Sequence, residues 1–223
     1  TNATDGGAGD ADATSDGVLT LSVNVPAGAV IGTSYARFRF GATGLTPTGN
    51  ATYGEVEDYA VLIAPKPLLA KAFAPSAISV GGTSTLTFTL NNTAAGSVAT
   101  SGIKFLDTLP ANIQIAATPN VLTNCATGAG ASVAPVAGVG VVATAGTGSF
   151  DVGTVSGSGL SVDAGVSCTI SVDVTSAVGQ TTAEQTACTT NGVGAPADWV
   201  NTTASVTGVT NATNSVTQQC LTV

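Results

Sequence analysis

The 223-residue chain has no histidine, no methionine, one tryptophan and only five basic residues. The lack of histidine removes Ser-His-Asp and Cys-His nucleophile systems and every imidazole metal site at once. No G-x-S-x-G elbow, P-loop or dinucleotide fingerprint is present either. Five cations in a chain of net charge −8 leave no phosphate-binding footprint, so nucleic acid is not an expected partner, and an anionic membrane surface is disfavoured for the same reason. Charged residues make up 8% of the chain, against about 25% in ordinary globular proteins. No uninterrupted apolar stretch reaches the roughly 18 residues of a spanning helix, so membrane insertion is not expected. The longest apolar stretch, Val133 to Gly146, contains Pro135 and several glycines and reads as one or two strands with a turn.

What fills the chain instead is Thr, Ser, Ala, Gly, Asn and Val, with 43% apolar residues in all, enough for real cores. Thr and Val favour strands and the many Gly and Asn favour turns, so an all-β protein is expected. Residues 64–67, Ala-Pro-Lys-Pro, cannot donate to a ladder at either proline and are expected to form a short linker at a domain boundary. Beyond it, Leu86, Phe88 and Leu90 alternate with Thr85, Thr87 and Thr89 after a Gly81-Gly82 turn, a half-buried strand pattern. Ile103 to Pro110 reads as the next strand and its termination. In Cys168 to Val174, the alternation puts Cys168, Ile170, Val172 and Val174 on the core face.

Most of the informative charge is concentrated in two short segments, Tyr35 to Phe40 and Gly54 to Tyr59. Alternation projects Tyr35, Arg37 and Arg39 from one face of the first, and Glu55, Glu57 and Tyr59 from one face of the second. An antiparallel hairpin with a long Gly/Thr/Asn loop is predicted, with Arg37 and Arg39 ion-paired across the strands to Glu55 and Glu57. Glu55, Glu57 and Asp58 are also the only dense carboxylate group that could hydrolyse a glycoside, but structural ion pairing is the simpler expectation.

The YARFRF and GEVEDY segments, followed by a strand from Ala60 to Ile63, resemble the C-terminal end of a GEVED domain, a β-sandwich module of bacterial extracellular proteins. The resemblance implies further strands upstream, and only Asp16 to Pro26 precedes the hairpin as a strand-like segment. The expectation is therefore a partial GEVED-like domain over residues 1–63, in a piece processed from a longer precursor. A module of about this size has a marginal core of its own. In residues 68–223, four phrases resemble the Ig-like repeat modules of large bacterial surface proteins: K-x-F-x-P at Lys71 to Pro75, G-x-S-T-L-T-F-T-L-N-N at Gly82 to Asn92, F-x-D-T-L-P at Phe105 to Pro110, and S-C-T-I-S-V-D-V-T-S at Ser167 to Ser176. Together these imply two β-sandwich (Ig-like) domains in tandem, the first incomplete, at an extracellular or cell-surface location, and they imply no reaction. The segment from Ala187 to Trp199 departs from that pattern as an extra loop with a second disulfide.

The four cysteines, Cys125, Cys168, Cys188 and Cys220, are far apart and form no C-x-x-C pair, so disulfides are expected over a tetrathiolate zinc site. Of three connectivities, the sequential one, Cys125 with Cys168 and Cys188 with Cys220, is the simplest for a single sandwich. Cys168 should be buried. Cys220 is out of phase with Leu221 and Val223, so its disulfide should staple a surface or edge.

Three further candidates carry chemistry. Asp5, Asp10, Asp12 and Asp16 supply the several hard oxygens that calcium wants, though not at EF-hand spacing, so a calcium site stands beside a solvated acidic turn. Lys71 or Lys104 could enter an intramolecular Lys-Asn isopeptide bond similar to that of Gram-positive pilins, given a buried Asn and an adjacent acid. Asp107, three residues from Lys104, is on the opposite strand face from it. Sequons occur at Asn2, Asn50, Asn91, Asn201 and Asn211. Trp199 is a sugar-stacking platform on one reading and a core anchor on the other.

The expected function is non-catalytic: a structural subunit of an extracellular bacterial filament or surface fibre. Strand edges here lack the charged gatekeepers of soluble monomers. A second copy of the chain could share a strand, with Val18, Leu19, Leu21, Val23 and Val25 as the polymerisation segment, and head-to-tail repetition would give a filament. The alternative is an adhesin or carbohydrate-binding stalk module, with host or matrix glycans as partners.

Overall fold

The computed structural model describes residues 10–11, 20–21, 23–26, 28–41, 46, 48–50, 53–127, 136–137, 140–154, 159–189 and 195–223. The chain divides into two compact units, Thr1–Ile63 and Ala64–Val223, and residues 64–67 between the flanking strands carry no regular structure. Among the described residues the fold is all-β apart from one two-turn helix and two short 3-10 turns.

In the first unit the strands Gly32–Gly41 and Gly54–Ile63 form a ten-residue antiparallel hairpin. Asp10–Ala11 pairs with Thr20–Leu21. Gly54 closes the hairpin at a positive φ of 125°, and a Cβ there would sit 2.0 Å from the Phe40 carbonyl oxygen, so only glycine fits.

The second unit is built from two sheets. The first runs Val136–Ala137, Leu122–Thr123, Ser167–Ser176, Thr83–Asn91, Leu68–Ala74 and Thr213–Asn214, with Ile113–Ile115 also paired to Ser167–Ser176. The second is centred on Thr100–Thr108, which pairs with Ser149–Val152, Leu160–Val162 and Val206–Thr210. Ala126–Thr127 and Val141–Ala143 extend it. Period-2 alternation drives both sheets: Leu86, Phe88 and Leu90 are fully buried, as are Ile103 and Phe105. The Phe88 ring, from the first sheet, stacks on Phe150 at 5.5 Å and lies 4.8 Å from Phe105, both from the second. These aromatic contacts join the inner faces into one sandwich core.

Two elements depart from the simple strand reading. The segment expected as a loop from Ala187 onward begins inside a helix, Thr182–Thr189. Its start is a capping box: the Thr181 backbone N–H donates to Glu184 Oε2 at 2.6 Å, and the Glu184 N–H donates to Thr181 Oγ1 at 3.3 Å. These contacts, the backbone one foremost, hold the Glu184 carboxyl below its ordinary value. A separate two-stranded ribbon pairs Val200–Asn201 with Gln219–Cys220.

Candidate functional site

The hairpin register corrects the predicted ion pairs. Arg37 lies opposite Asp58, Phe38 opposite Glu57, Arg39 opposite Val56 and Phe40 opposite Glu55. Arg37 therefore makes a bidentate pair with Asp58, Nε to Oδ1 at 2.7 Å and Nη2 to Oδ2 at 2.8 Å. This raises the Arg37 value and holds the Asp58 carboxyl below its own, by hydrogen bonding first and charge second in the arginine. Arg39 turns to the loop and donates to the carbonyl oxygens of Thr46 and, at 2.7 Å, Gly49. Glu55 and Glu57 share the other face with the phenylalanines: Tyr59 donates to Glu57, and the Tyr59 and Phe38 rings meet edge-on at 5.5 Å. The alternation within each strand was read correctly; the faces meet one residue out of step with the expectation.

The cysteines join as Cys125–Cys168 and Cys188–Cys220. Cys168 is buried, and Cys220, half-buried, belongs to the small ribbon beside the two main sheets. Cys188–Cys220 ties the helix to the strand that pairs with Val200–Asn201. Two disulfides place the chain in an oxidising, non-cytoplasmic compartment. Among the described residues no helix is long and apolar enough to cross a membrane. Trp199 is fully buried and anchors the core. Of the calcium candidates, Asp5, Asp12 and Asp16 lie outside the described residues, and for Asp10 only its strand position is described. Among the polymerisation residues, Val18 and Leu19 lie outside the described residues, Leu21 is described only as a strand position, and Val23 and Val25 are exposed.

Among the described residues, a cluster with the makings of chemistry lies in the core of the second unit. Strand Leu68–Ala74 buries alternate residues, and its middle inward position is Lys71 between Leu69 and Phe73. On the facing sheet, Ile103 and Phe105 are followed at the next inward position by Asp107. Asn201, on the ribbon after Trp199, is the third member, and all three residues are at most 4% exposed. Lys71 Nζ donates to Asn201 Oδ1, to Asp107 Oδ1 at 3.3 Å and to the Thr202 carbonyl at 3.0 Å. Asn201 Nδ2 donates to Asp107 Oδ2 at 2.6 Å, closing a ring of contacts. The setting is apolar: Lys71 is opposite Phe88 in its ladder, and Asp107 is opposite Phe150 on one side and Val206 on the other.

Burial pushes the Lys71 ammonium below its ordinary value, with Asp107 pulling against it. Burial likewise pushes the Asp107 carboxyl up, against the attraction of Lys71 and the hydrogen bond from Asn201. Both shifts favour the uncharged forms, an amine and a carboxylic acid. The strand alternation sets Lys104 on the face opposite Asp107, and Lys104 indeed sits half-buried on that far face while Asp107 is buried. The signal for Lys71 was its phase with Leu69 and Phe73, a charged residue on a core face.

A family model described as "Domain of unknown function (DUF7933)" matches residues 67–223, the span that holds both sheets, both disulfides and the buried cluster. The chain belongs to this family. Residues 3–62 match the GEVED domain, as the hairpin motifs implied. No curated protein and no solved structure matches this DUF7933 chain.

Proposed function

We propose that this chain is a non-catalytic structural subunit of an extracellular bacterial filament or surface fibre, joined to further copies of itself through strand sharing. The observation that carries the reading is the Gly32–Gly41 and Gly54–Ile63 hairpin. Among the described residues its two strands pair only with each other, over ten positions, and both faces carry exposed apolar side chains: Phe40 is 78% exposed, Tyr35 72%, Leu62 59% and Tyr59 51%. A two-stranded ribbon of this kind is marginal alone in water, and long edges without lysine invite another strand. On the same reading the second unit, a two-sheet β-sandwich, serves as a stalk or repeat. The Lys71, Asp107 and Asn201 cluster is closed to outside substrates, which fits a role without turnover.

Light scattering of the full chain across a concentration series, with negative-stain electron microscopy, tests the proposal. The expected result is concentration-dependent assembly into filaments of regular axial repeat, weakened by Phe40→Lys on the hairpin. Monodisperse monomers at every concentration would overturn it. A glycan-binding module would use the same exposed rings and stay monomeric, so the measurement separates the two readings.

A further inference from the structure

We infer that Lys71 and Asn201 join through an intramolecular isopeptide bond, formed by the folded chain itself with Asp107 moving the protons. The inference rests on the core of the second unit alone and is independent of whether the chain forms filaments.

Three observations converge. The nucleophile and the acyl group are in contact: Nζ of Lys71 is hydrogen-bonded to Oδ1 of Asn201, and the carbon to be attacked is bonded to that oxygen. The acid touches both reactants, Oδ1 at Lys71 Nζ and Oδ2 at Asn201 Nδ2. Solvent is kept away, because the Lys71 and Asp107 side chains are fully buried, opposite Phe88 and Phe150 in their ladders. Positioning of reacting groups in a dry site is what makes an otherwise slow amine-amide exchange accessible.

The reaction balances without any co-reactant. Within the buried pair the ammonium proton passes to the Asp107 carboxylate, leaving a neutral amine and a carboxylic acid; burial moves both groups in the direction this transfer needs. The amine lone pair then forms the bond to Asn201 Cγ, and the carbonyl π pair moves onto Oδ1, which takes a hydrogen bond or the proton from Asp107. Asp107 next relays a proton from the attacking nitrogen to Nδ2. The Cγ–Nδ2 bond breaks with its electron pair on nitrogen, Oδ1 returns to Asp107 any proton it took, the carbonyl re-forms, and ammonia leaves. An amine and a primary amide have become a secondary amide and ammonia, with Asp107 regenerated as a general acid-base group.

The product also answers an energetic problem. A lysine held as a cation in an aromatic core costs desolvation that its partner offsets only in part. Conversion to an amide removes that charge permanently and leaves a carbonyl and an N–H for Asp107 to bond. Mechanically, the bond would connect the first strand after the linker to a segment 130 positions later. Tension applied at the two ends of the unit would then run through the crosslink, and the residues between would not extend.

The test is intact-mass spectrometry of the full 223-residue chain after complete reduction and alkylation, followed by proteolytic mapping. The expected mass is that of the sequence less one ammonia, with a branched peptide joining the Lys71 and Asn201 segments. An unaltered mass in a chain whose near-ultraviolet circular dichroism shows it folded would overturn the inference. So would loss of ammonia without the branched peptide, which would point to cyclisation of an asparagine on its own backbone. Asp107→Asn, which keeps the side-chain shape, should restore the full mass; a branched peptide formed to the same extent in that variant would overturn the role of Asp107. Since the wild-type mass is decisive by itself, the result does not depend on any variant folding.

Discussion

Lys71 and Asp107 face each other across the core from opposite sheets, Nζ to Oδ1 at 3.3 Å, with both side chains fully buried. Removing one member leaves the other buried without its opposite charge, held only by Asn201 and, for Lys71, the Thr202 carbonyl, at a cost of about 3 to 5 kcal/mol where the survivor remains charged.

That relationship sets a pH dependence. The Asp107 carboxyl is raised by burial, so the folded chain keeps a proton that the unfolded chain releases. The stability contributed by that proton is fully present below the ordinary aspartate value of 3.8 and is lost as pH rises through the folded value. Lys71→Met removes the opposing cation and enlarges the shift. Urea unfolding of Lys71→Met, compared with the Lys71→Met and Asp107→Asn double variant, should therefore show a midpoint that falls with rising pH from below 3.8 toward neutrality. A difference that is flat or rises over that range would contradict the account.

The Cys188–Cys220 disulfide spans 32 positions, and Cys220 is directly opposite Val200, next to Asn201. In the chain-entropy model such a crosslink contributes about 4 kcal/mol. Replacing both cysteines by alanine should lower the unfolding midpoint of the second unit by that order. Fluorescence of the fully buried Trp199, the only tryptophan in the chain, reports the transition. An unchanged midpoint would mean that the helix and ribbon are held by packing alone.

The Arg37–Asp58 pair is exposed, so its value lies in register more than in stability. Reversing one charge, as in Arg37→Asp, should weaken the hairpin's cross-strand contacts in nuclear magnetic resonance spectra. Adding Asp58→Arg should restore them at low salt. Because the Asp58 carboxyl is held down by Arg37, the contribution is present above the ordinary aspartate range and is lost as pH falls through the lowered value. Equal spectra for the single and double reversals would show that the aromatic face sets the register instead.

Gly159 lies against the backbone of the central strand of the second sheet. A Cβ there would come within 2.3 Å of the Gly102 carbonyl carbon, whereas at Gly148 nothing lies within 4 Å. Gly159→Ala should cost about 1 to 3 kcal/mol or more as the strands are forced apart. Gly148→Ala should stay within about 0.5 kcal/mol. Chemical denaturation of the two variants checks the contrast, and equal stabilities would contradict the close approach.

The chain's local chemistry decided much by itself. Apolar and hydroxyl residues alternating along Thr83 to Leu90 and Cys168 to Val174 dictate strands with one buried face, since side chains on an extended backbone must point to opposite sides. The prolines at 65 and 67 interrupt pairing wherever they stand, and four dispersed cysteines with no C-x-x-C pair favour disulfides over a zinc site. Lys71 and Asp107 each carry a charge in phase with the core positions of their strands. What alternation cannot convey is which face meets which. In the hairpin the strands pair one residue out of step with the charge pattern, bringing Arg37 to Asp58 and the glutamates to the phenylalanines. In the core, Lys71, Asp107 and Asn201 are separated by 36, 94 and 130 positions, pair by pair. They meet only because two sheets pack face to face and the chain returns through a disulfide-held ribbon. Proximity across a core is a non-local property, and only the tertiary structure decides it.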